Sequence, residues 1–155
     1  MKAIFCALTI GLLSLVALGA QELSLNAPLE YDIDLYSLYR AAVTGDDSAI
    51  PRDKLLIMVG TIGSSYVIED EEESFLAEVE LVGGHWNGEE SIELYRASFL
   101  FEGSTYRRLF ERRGAERFAN GEKLLLVAEY LGLDTDYTSD ELIPVLRTLY
   151  FRRIR

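Results

Sequence analysis

The sequence predicts a mainly β fold: a small closed barrel of five strands with one helix after the third strand, preceded by a short N-terminal helix. Three observations predict it. Short apolar runs of strand length recur along the chain and are bounded by glycine or by charge. Apolar residues between Ser104 and Phe118 recur at helical spacings. A nearly continuous apolar run, residues 124–128, follows directly and is typical of a buried strand.

Residues 1–20 have the composition of a secretory signal peptide. Lys2 is followed by an apolar run that ends in small residues around Gly19 and Ala20, which suit a signal peptidase. We therefore expect the protein to be exported to a bacterial periplasm or to the outside of the cell. The alternative is an uncleaved membrane anchor, because the apolar run is nearly long enough to span a bilayer.

The remainder of the 155-residue chain is long enough for one domain. Cys6, the only cysteine, lies inside the predicted signal, so the mature chain would have no disulfide and no thiolate nucleophile or metal ligand. We therefore predict a fold that depends on packing and needs no cofactor. Residues 21–53 are predicted to form an N-terminal arm and short helix, and residues 54–155 the barrel.

The short helix is predicted to begin after Asp34, a good N-cap residue. Apolar residues from Leu35 to Ala42 share one helical face, and Gly45 suits the end of the helix. The five strands are predicted at residues 54–62, 75–82, 92–101, 124–131 and 142–154. Within the last strand, Val145 is among the residues expected to point inward.

Two further features are predicted within and after the third strand. Its apolar alternation shifts phase, which indicates a bulge around Tyr95 and Arg96. The helix that follows is predicted to be capped by Ser104 and stopped by Asn120 and Gly121.

Three polar segments are predicted to be loops or turns. Residues 64–74 contain five consecutive acids, which cannot pack together. Residues 132–141 are also rich in acids. Residues 83–88 are predicted to form a hairpin turn that presents Trp86, which either stacks on a ligand or folds back onto the barrel.

The order of three strands, a helix and two strands is that of an OB-fold barrel. The opening of exported OB-fold proteins grouped as tRNA-anticodon-binding-like (tRNA_anti-like) resembles two segments of this chain: LYSLYR at residues 35–40 and KLLIMVGTI at residues 54–62. The resemblance covers most of the chain after the signal. It implies an exported OB-like barrel, and it does not by itself imply tRNA binding.

OB barrels usually bind ligands through the face of strands two and three and through the loops joining strands one to two and four to five. The two predicted loops of this chain contain acids and no base. The predicted partner-binding residues are these acids together with Trp86: Glu69, Asp70, Glu71, Glu72, Glu73, Trp86, Asp134, Asp136, Asp140 and Glu141. We therefore predict a basic protein segment as the partner and poor binding of nucleic acid.

Basic residues are concentrated in the predicted helix after the third strand, at Arg107, Arg108, Arg112, Arg113 and Arg117. A phosphate-binding role is one interpretation. We favour a helix that closes the barrel end opposite the acidic loops and pairs its arginines with Glu111 and Glu116. Self-association, in which this helix meets the acidic loops of another copy, is an alternative that salt would weaken.

No residue pattern predicts catalysis or a metal site. His85 is the only histidine, so it would be the sole nitrogen ligand of a zinc site. The acids from Asp134 to Glu141 have a spacing that calcium accepts, but the EF-hand pattern is absent. We therefore predict a non-catalytic binding or assembly module. The alternatives are a small periplasmic hydrolase and an OB-type nucleic-acid binder.

Overall fold

Apolar alternation produces six strands and one α-helix in the computed structural model, which describes residues 26–71, 73–86, 88, 91–136 and 139–154. The predicted signal peptide lies outside the described residues. The elements in chain order are β1 (Leu29–Glu30), α1 (Leu35–Thr44), β2 (Leu55–Asp70), β3 (Phe75–Trp86), β4 (Ile92–Glu102), a 3₁₀ helix (Ser104–Leu109), β5 (Lys123–Asp136) and β6 (Glu141–Ile154).

The strands form one sheet that closes into a ring. The first half of β2 pairs with β5 and its second half pairs with β3, both antiparallel. β4 follows β3 and pairs in parallel with β6, which returns antiparallel to β5. β1 pairs in parallel with the start of β2 and is the strand that the sequence did not predict. The mainly β class is thus confirmed, with six strands instead of five.

The core lies inside the ring and is built from the inward residues of each long strand. Met58, Val79, Phe99, Leu126 and Leu146 each have no exposed surface. Their alternation with outward residues is the two-residue period of a β-strand. Burial of this apolar surface is the main term that stabilises the fold.

Helix α1 has the N-cap predicted from the sequence. The backbone N–H of Ser37 donates to Asp34 Oδ1 at 2.8 Å, and Gly45 ends the helix with a φ of 66°. Leu35 and Leu38 pack into the core of the ring. The strand β1 precedes this helix, so a strand and a helix, and not a helix alone, lead into the ring.

The predicted helix after β4 is wrong beyond its first six residues. A 3₁₀ helix ends at Leu109, and its N-cap is Gly103, with no side-chain cap. The chain then folds back, so that the N–H of Phe118 donates to the carbonyl of Leu109 at 2.8 Å. This brings Phe110 and Phe118 to a ring-centroid distance of 5.6 Å. Aromatic packing therefore explains the apolar spacing that predicted a longer helix.

The predicted loops and hairpin turn are also largely wrong, because the strands continue through them. β2 extends to Asp70, β3 to Trp86 and β5 to Asp136. Every residue from Gly83 to Trp86 has a partner on β4. A strand continues through charged residues when a neighbouring strand satisfies its backbone groups and the side chains point to water.

Two details of side-chain orientation differ from the predictions. The pairing of β3 with β4 runs without a register shift past Tyr95 and Arg96, so no bulge lies there in that ladder. The apparent phase shift arises because Leu94 is an outward residue, 73% exposed. On β6, Val145 points outward and Leu146 is buried, next to a register shift in the β5–β6 ladder.

None of the helices in the described part of the chain combines the length and the apolar character needed to cross a membrane.

Candidate binding grooves

A groove of about 550 Å³ runs along the outer face of the ring between the β2–β3 hairpin and the end of the β5–β6 hairpin. Four acids line it, and its other lining residues are apolar, aromatic and neutral polar side chains together with Arg96. We call it the acidic groove, lined by Ser64, Tyr66, Ile68, Leu76, Glu78, Glu80, Arg96, Ser98, Leu100, Asp134, Thr135, Asp136, Ile143 and Val145.

Arg96 on β4 is held by three carboxylates at one end of the acidic groove. Its Nη1 lies 3.1 Å from Glu80, and its Nη2 lies 2.7 Å from Asp136 and 3.1 Å from Glu141. The Arg96 side chain is 29% exposed, so solvent only partly screens these pairs. The arrangement is a guanidinium site occupied by a residue of the same chain.

Tyr66 and Glu78 face each other across the β2–β3 pair, and the Tyr66 hydroxyl donates to the Glu78 carboxylate. Burial, followed by the hydrogen bond to Glu78, raises the pKa of the Tyr66 hydroxyl. The phenol is therefore a protonated donor to Glu78 at neutral pH. This hydrogen bond holds the Glu78 carboxylate at the wall of the acidic groove.

The acids predicted for partner binding fall into two groups in the structure. Asp134 and Asp136 line the acidic groove, and Glu141 joins them through Arg96. Asp140 is exposed in the β5–β6 turn with a φ of 60°. These four acids form the β5–β6 part of the predicted partner-binding site.

The other acids lie at the β2–β3 turn. Glu69 and Asp70 end β2, and Glu71 closes the turn by a backbone hydrogen bond to Ser74 of 2.9 Å. Glu73 is exposed, and Glu72 lies outside the described residues. None of Glu69, Asp70, Glu71 and Glu73 lines the acidic groove.

Arg107 connects the arginine-rich segment to this acidic turn, contrary to the prediction that the segment lies at the opposite end. Its Nε lies 2.8 Å from Asp70, and the guanidinium also donates to the carbonyl of Glu71. Arg108 pairs with Glu116 at 2.8 Å, but across the folded-back segment and not along a helix as predicted. The first acidic segment thus has a basic neighbour that the sequence did not reveal.

Trp86 is the last residue of β3 and is 59% exposed. It does not line the acidic groove. The neighbouring His85 stacks on Tyr36 of α1, with ring centroids 4.9 Å apart. The strand pairing, and not a turn, sets the direction of both side chains.

Sequence reasoning missed Glu78, Glu80, Arg96 and Tyr66 as groove residues. One signal was available: Glu78 and Glu80 are two residues apart on a strand and therefore share a face. Which other strands border that face depends on how the ring closes.

A second groove, of about 600 Å³, lies between α1, β4 and the start of β6. Three of its aliphatic residues are well exposed: Leu94 at 73%, Val43 at 63% and Leu142 at 43%. We call it the apolar groove, lined by Tyr39, Ala42, Val43, Val82, Leu94, Tyr95, Arg96, Glu141 and Leu142.

One polar contact borders the apolar groove. The Tyr39 hydroxyl donates to Glu93 Oε1 at 3.1 Å. Burial, and then this hydrogen bond, raise the pKa of Tyr39. The rim of the groove thus has carboxylates at Glu93 and Glu141 beside its apolar wall.

The described residues contain no cluster of three or more histidine, cysteine, aspartate or glutamate side chains arranged to hold a metal ion. Asp136 and Glu141, two of the acids with calcium-like spacing, both contact Arg96. Comparison with protein-family models and with curated proteins found no match to this chain.

Proposed function

We propose that the protein is an exported, non-catalytic binding or assembly module, and that its acidic groove holds a basic segment of a partner protein. The observation that carries the proposal is Arg96, whose guanidinium is surrounded by Glu80, Asp136 and Glu141. A groove that holds one guanidinium in this way has the chemistry to hold a lysine or arginine of another chain.

We further propose that the ring is an OB-like barrel. The closure of the ring by β2 to β6 supports an OB-like barrel, and the acidic groove is lined by β3 and β4, the second and third of these five strands, together with β2 and the β5–β6 hairpin. OB barrels usually bind ligands on the equivalent face. The resemblance to exported proteins of the tRNA-anticodon-binding-like group agrees with this architecture.

The charge of the groove argues against a nucleic-acid ligand. Glu78, Glu80, Asp134 and Asp136 line it, with Arg96 as the one base among its lining residues. Phosphates would be repelled by these carboxylates, whereas lysine and arginine would be attracted. A short single-stranded RNA, which we expect not to bind, is therefore the negative control in the binding experiment.

The experiment measures binding of a flexible peptide of glycine, serine and lysine by calorimetry. We expect binding that weakens when ionic strength rises from about 0.01 M to about 0.15 M, because the Debye length falls from about 30 Å to about 8 Å. Salt-resistant binding of the RNA, or no binding of the peptide at low salt, contradicts the proposal.

A charge-matched pair of variants locates the site. Glu78→Gln with Asp134→Asn removes two charges from the groove and should weaken peptide binding about tenfold. Asp53→Asn with Glu111→Gln removes the same charge from exposed positions outside the groove. Equal weakening by both variants would mean that net charge, and not the groove, attracts the peptide.

Export is tested separately. Expressed in a bacterial host that secretes it, the mature protein should begin at or near Gln21 when analysed by mass spectrometry. A membrane-extracted product that retains Met1 or Lys2 would show that the segment is an anchor.

A further inference from the structure

The acidic groove and the apolar groove meet at a shared wall. Arg96 lines both grooves, and its partner Glu141 lines the apolar groove. Any movement of the Arg96 guanidinium would break its contacts to Glu80 and Asp136 in the acidic groove. A segment that extends beyond this wall from the acidic groove would enter the apolar groove directly.

The apolar groove has the size and lining of a site for a bulky apolar side chain. Its volume is about 600 Å³, and aliphatic and aromatic residues from four elements, α1, β3, β4 and β6, line it. Leu94, Val43 and Leu142 remain exposed to water although they lie beside one another along this groove. Exposed apolar surface grouped in this way and bordered by polar residues is typical of an interaction site.

The rim of the apolar groove indicates which residues would accompany that side chain. Glu141 lines the groove beside its partner Arg96, and Glu93 borders it through its hydrogen bond with Tyr39, so these two carboxylates outnumber that one cation. Carboxylates beside an apolar pocket favour a ligand whose apolar group is flanked by cations. The apolar groove is therefore complementary to the same kind of basic segment as the acidic groove.

We propose that the partner segment is amphipathic: a leucine or an aromatic side chain occupies the apolar groove, while lysines or arginines lie in the acidic groove. Because Arg96 separates the two grooves, the apolar residue and the nearest cation are within about three residues of each other, at about 3.3 Å per extended residue. This inference rests on the proposed function and adds the sequence character of the partner.

The test compares three synthetic peptides by calorimetry. The first contains only glycine, serine and lysine, the second has one glycine replaced by leucine next to the lysines, and the third has the leucine but serine in place of every lysine. We expect the second to bind about tenfold more tightly than the first, and the third to bind least.

Two matched variants assign the gain to the apolar groove. Val43→Ser with Leu94→Ser changes exposed groove residues, and should reduce the gain from leucine to less than about twofold while leaving the lysine-only peptide unaffected. Val59→Ser with Ile154→Ser changes residues that are 51% and 40% exposed and line neither groove. This control should retain the full gain.

The outcomes separate this inference from the proposed function. Equal binding of the first two peptides, with binding still weakened in Glu78→Gln/Asp134→Asn, overturns the amphipathic segment and leaves the acidic groove as the site. A leucine gain that survives Val43→Ser/Leu94→Ser also overturns it. No binding of either lysine peptide overturns the proposed function itself.

Discussion

Arg147 on β6 donates two hydrogen bonds to a single carboxylate oxygen of Glu129 on β5, from Nε at 3.1 Å and from Nη2 at 2.7 Å. The two side chains are only 14% and 7% exposed. Removing one partner of such a nearly buried pair destabilises the native state, because the other charge is left desolvated and without its counter-charge.

Glu129→Ala should therefore lower the free energy of unfolding by about 3 kcal/mol, because it leaves the Arg147 guanidinium without its buried carboxylate. Urea denaturation measures this. The double variant Glu129→Leu/Arg147→Met should recover most of the loss, since similar apolar volume replaces the pair. A single-variant loss below about 1 kcal/mol would mean that the pair is solvated.

The second prediction concerns alkaline pH. Tyr130 is 3% exposed and donates to Asp47 Oδ2 at 2.8 Å. Burial, and then the hydrogen bond to Asp47, raise the pKa of its hydroxyl. A raised native pKa contributes stability that is complete below the unfolded pKa of about 10 and is lost as pH rises above it.

The free energy of unfolding should accordingly fall above about pH 10, and Tyr130→Phe should make that fall shallower. At neutral pH the same substitution should cost about 1 kcal/mol, because Asp47 loses one donor and keeps Arg52 at 2.7 Å. Tyr31→Phe, at a tyrosine that is 70% exposed, is the control. An unchanged alkaline slope in Tyr130→Phe contradicts the prediction.

The third prediction distinguishes the folded-back segment after β4 from a continuous helix. In a helix, Gly114→Ala would stabilise the protein by about 1 kcal/mol. In the observed fold, the new Cβ would lie 3.1 Å from the carbonyl oxygen of Arg108, which belongs to the backbone and cannot easily move. We expect a loss of about 1 kcal/mol in thermal or urea unfolding. A gain would favour the helix.

The fourth prediction concerns Arg96 as an internal occupant of the acidic groove. Arg96→Gln should weaken the fold by about 1 to 2 kcal/mol, since Glu80 and Asp136 lose a charged partner. The same variant should bind the lysine-only peptide several-fold more tightly, because the Arg96 guanidinium no longer competes with it for the carboxylates. Calorimetry of the folded variant measures this. Weaker binding would mean that Arg96 does not compete with the peptide.

Elements governed by local sequence were predicted well. The mainly β class follows from alternation of apolar residues, and the start of α1 follows from the ability of Asp34 to accept a hydrogen bond from Ser37. The approximate positions of β3, β4 and β6 also agree, because each contains inward residues such as Val79, Phe99 and Leu146 that must be buried.

The lengths of the strands and the conformation of the segment after β4 depended on which residues pair across the sheet or pack together, and not on composition or spacing. Asp70 remains in a strand because Phe75 lies opposite it, and Asp136 because Glu141 does. Phe110 and Phe118 pack with Phe101, which spacing alone cannot distinguish from helical packing.

By itself, the sequence determined the β class, the capped helix α1 and the acidic character of the surface, because propensity, capping and charge are properties of neighbouring residues. Tertiary structure alone decided which charges meet. Arg96 contacts Asp136 because the ring closes. Arg107 contacts Asp70 because of the way the chain folds after β4. Both grooves arise in the same way, since each is lined by strands or helices that are distant in the chain.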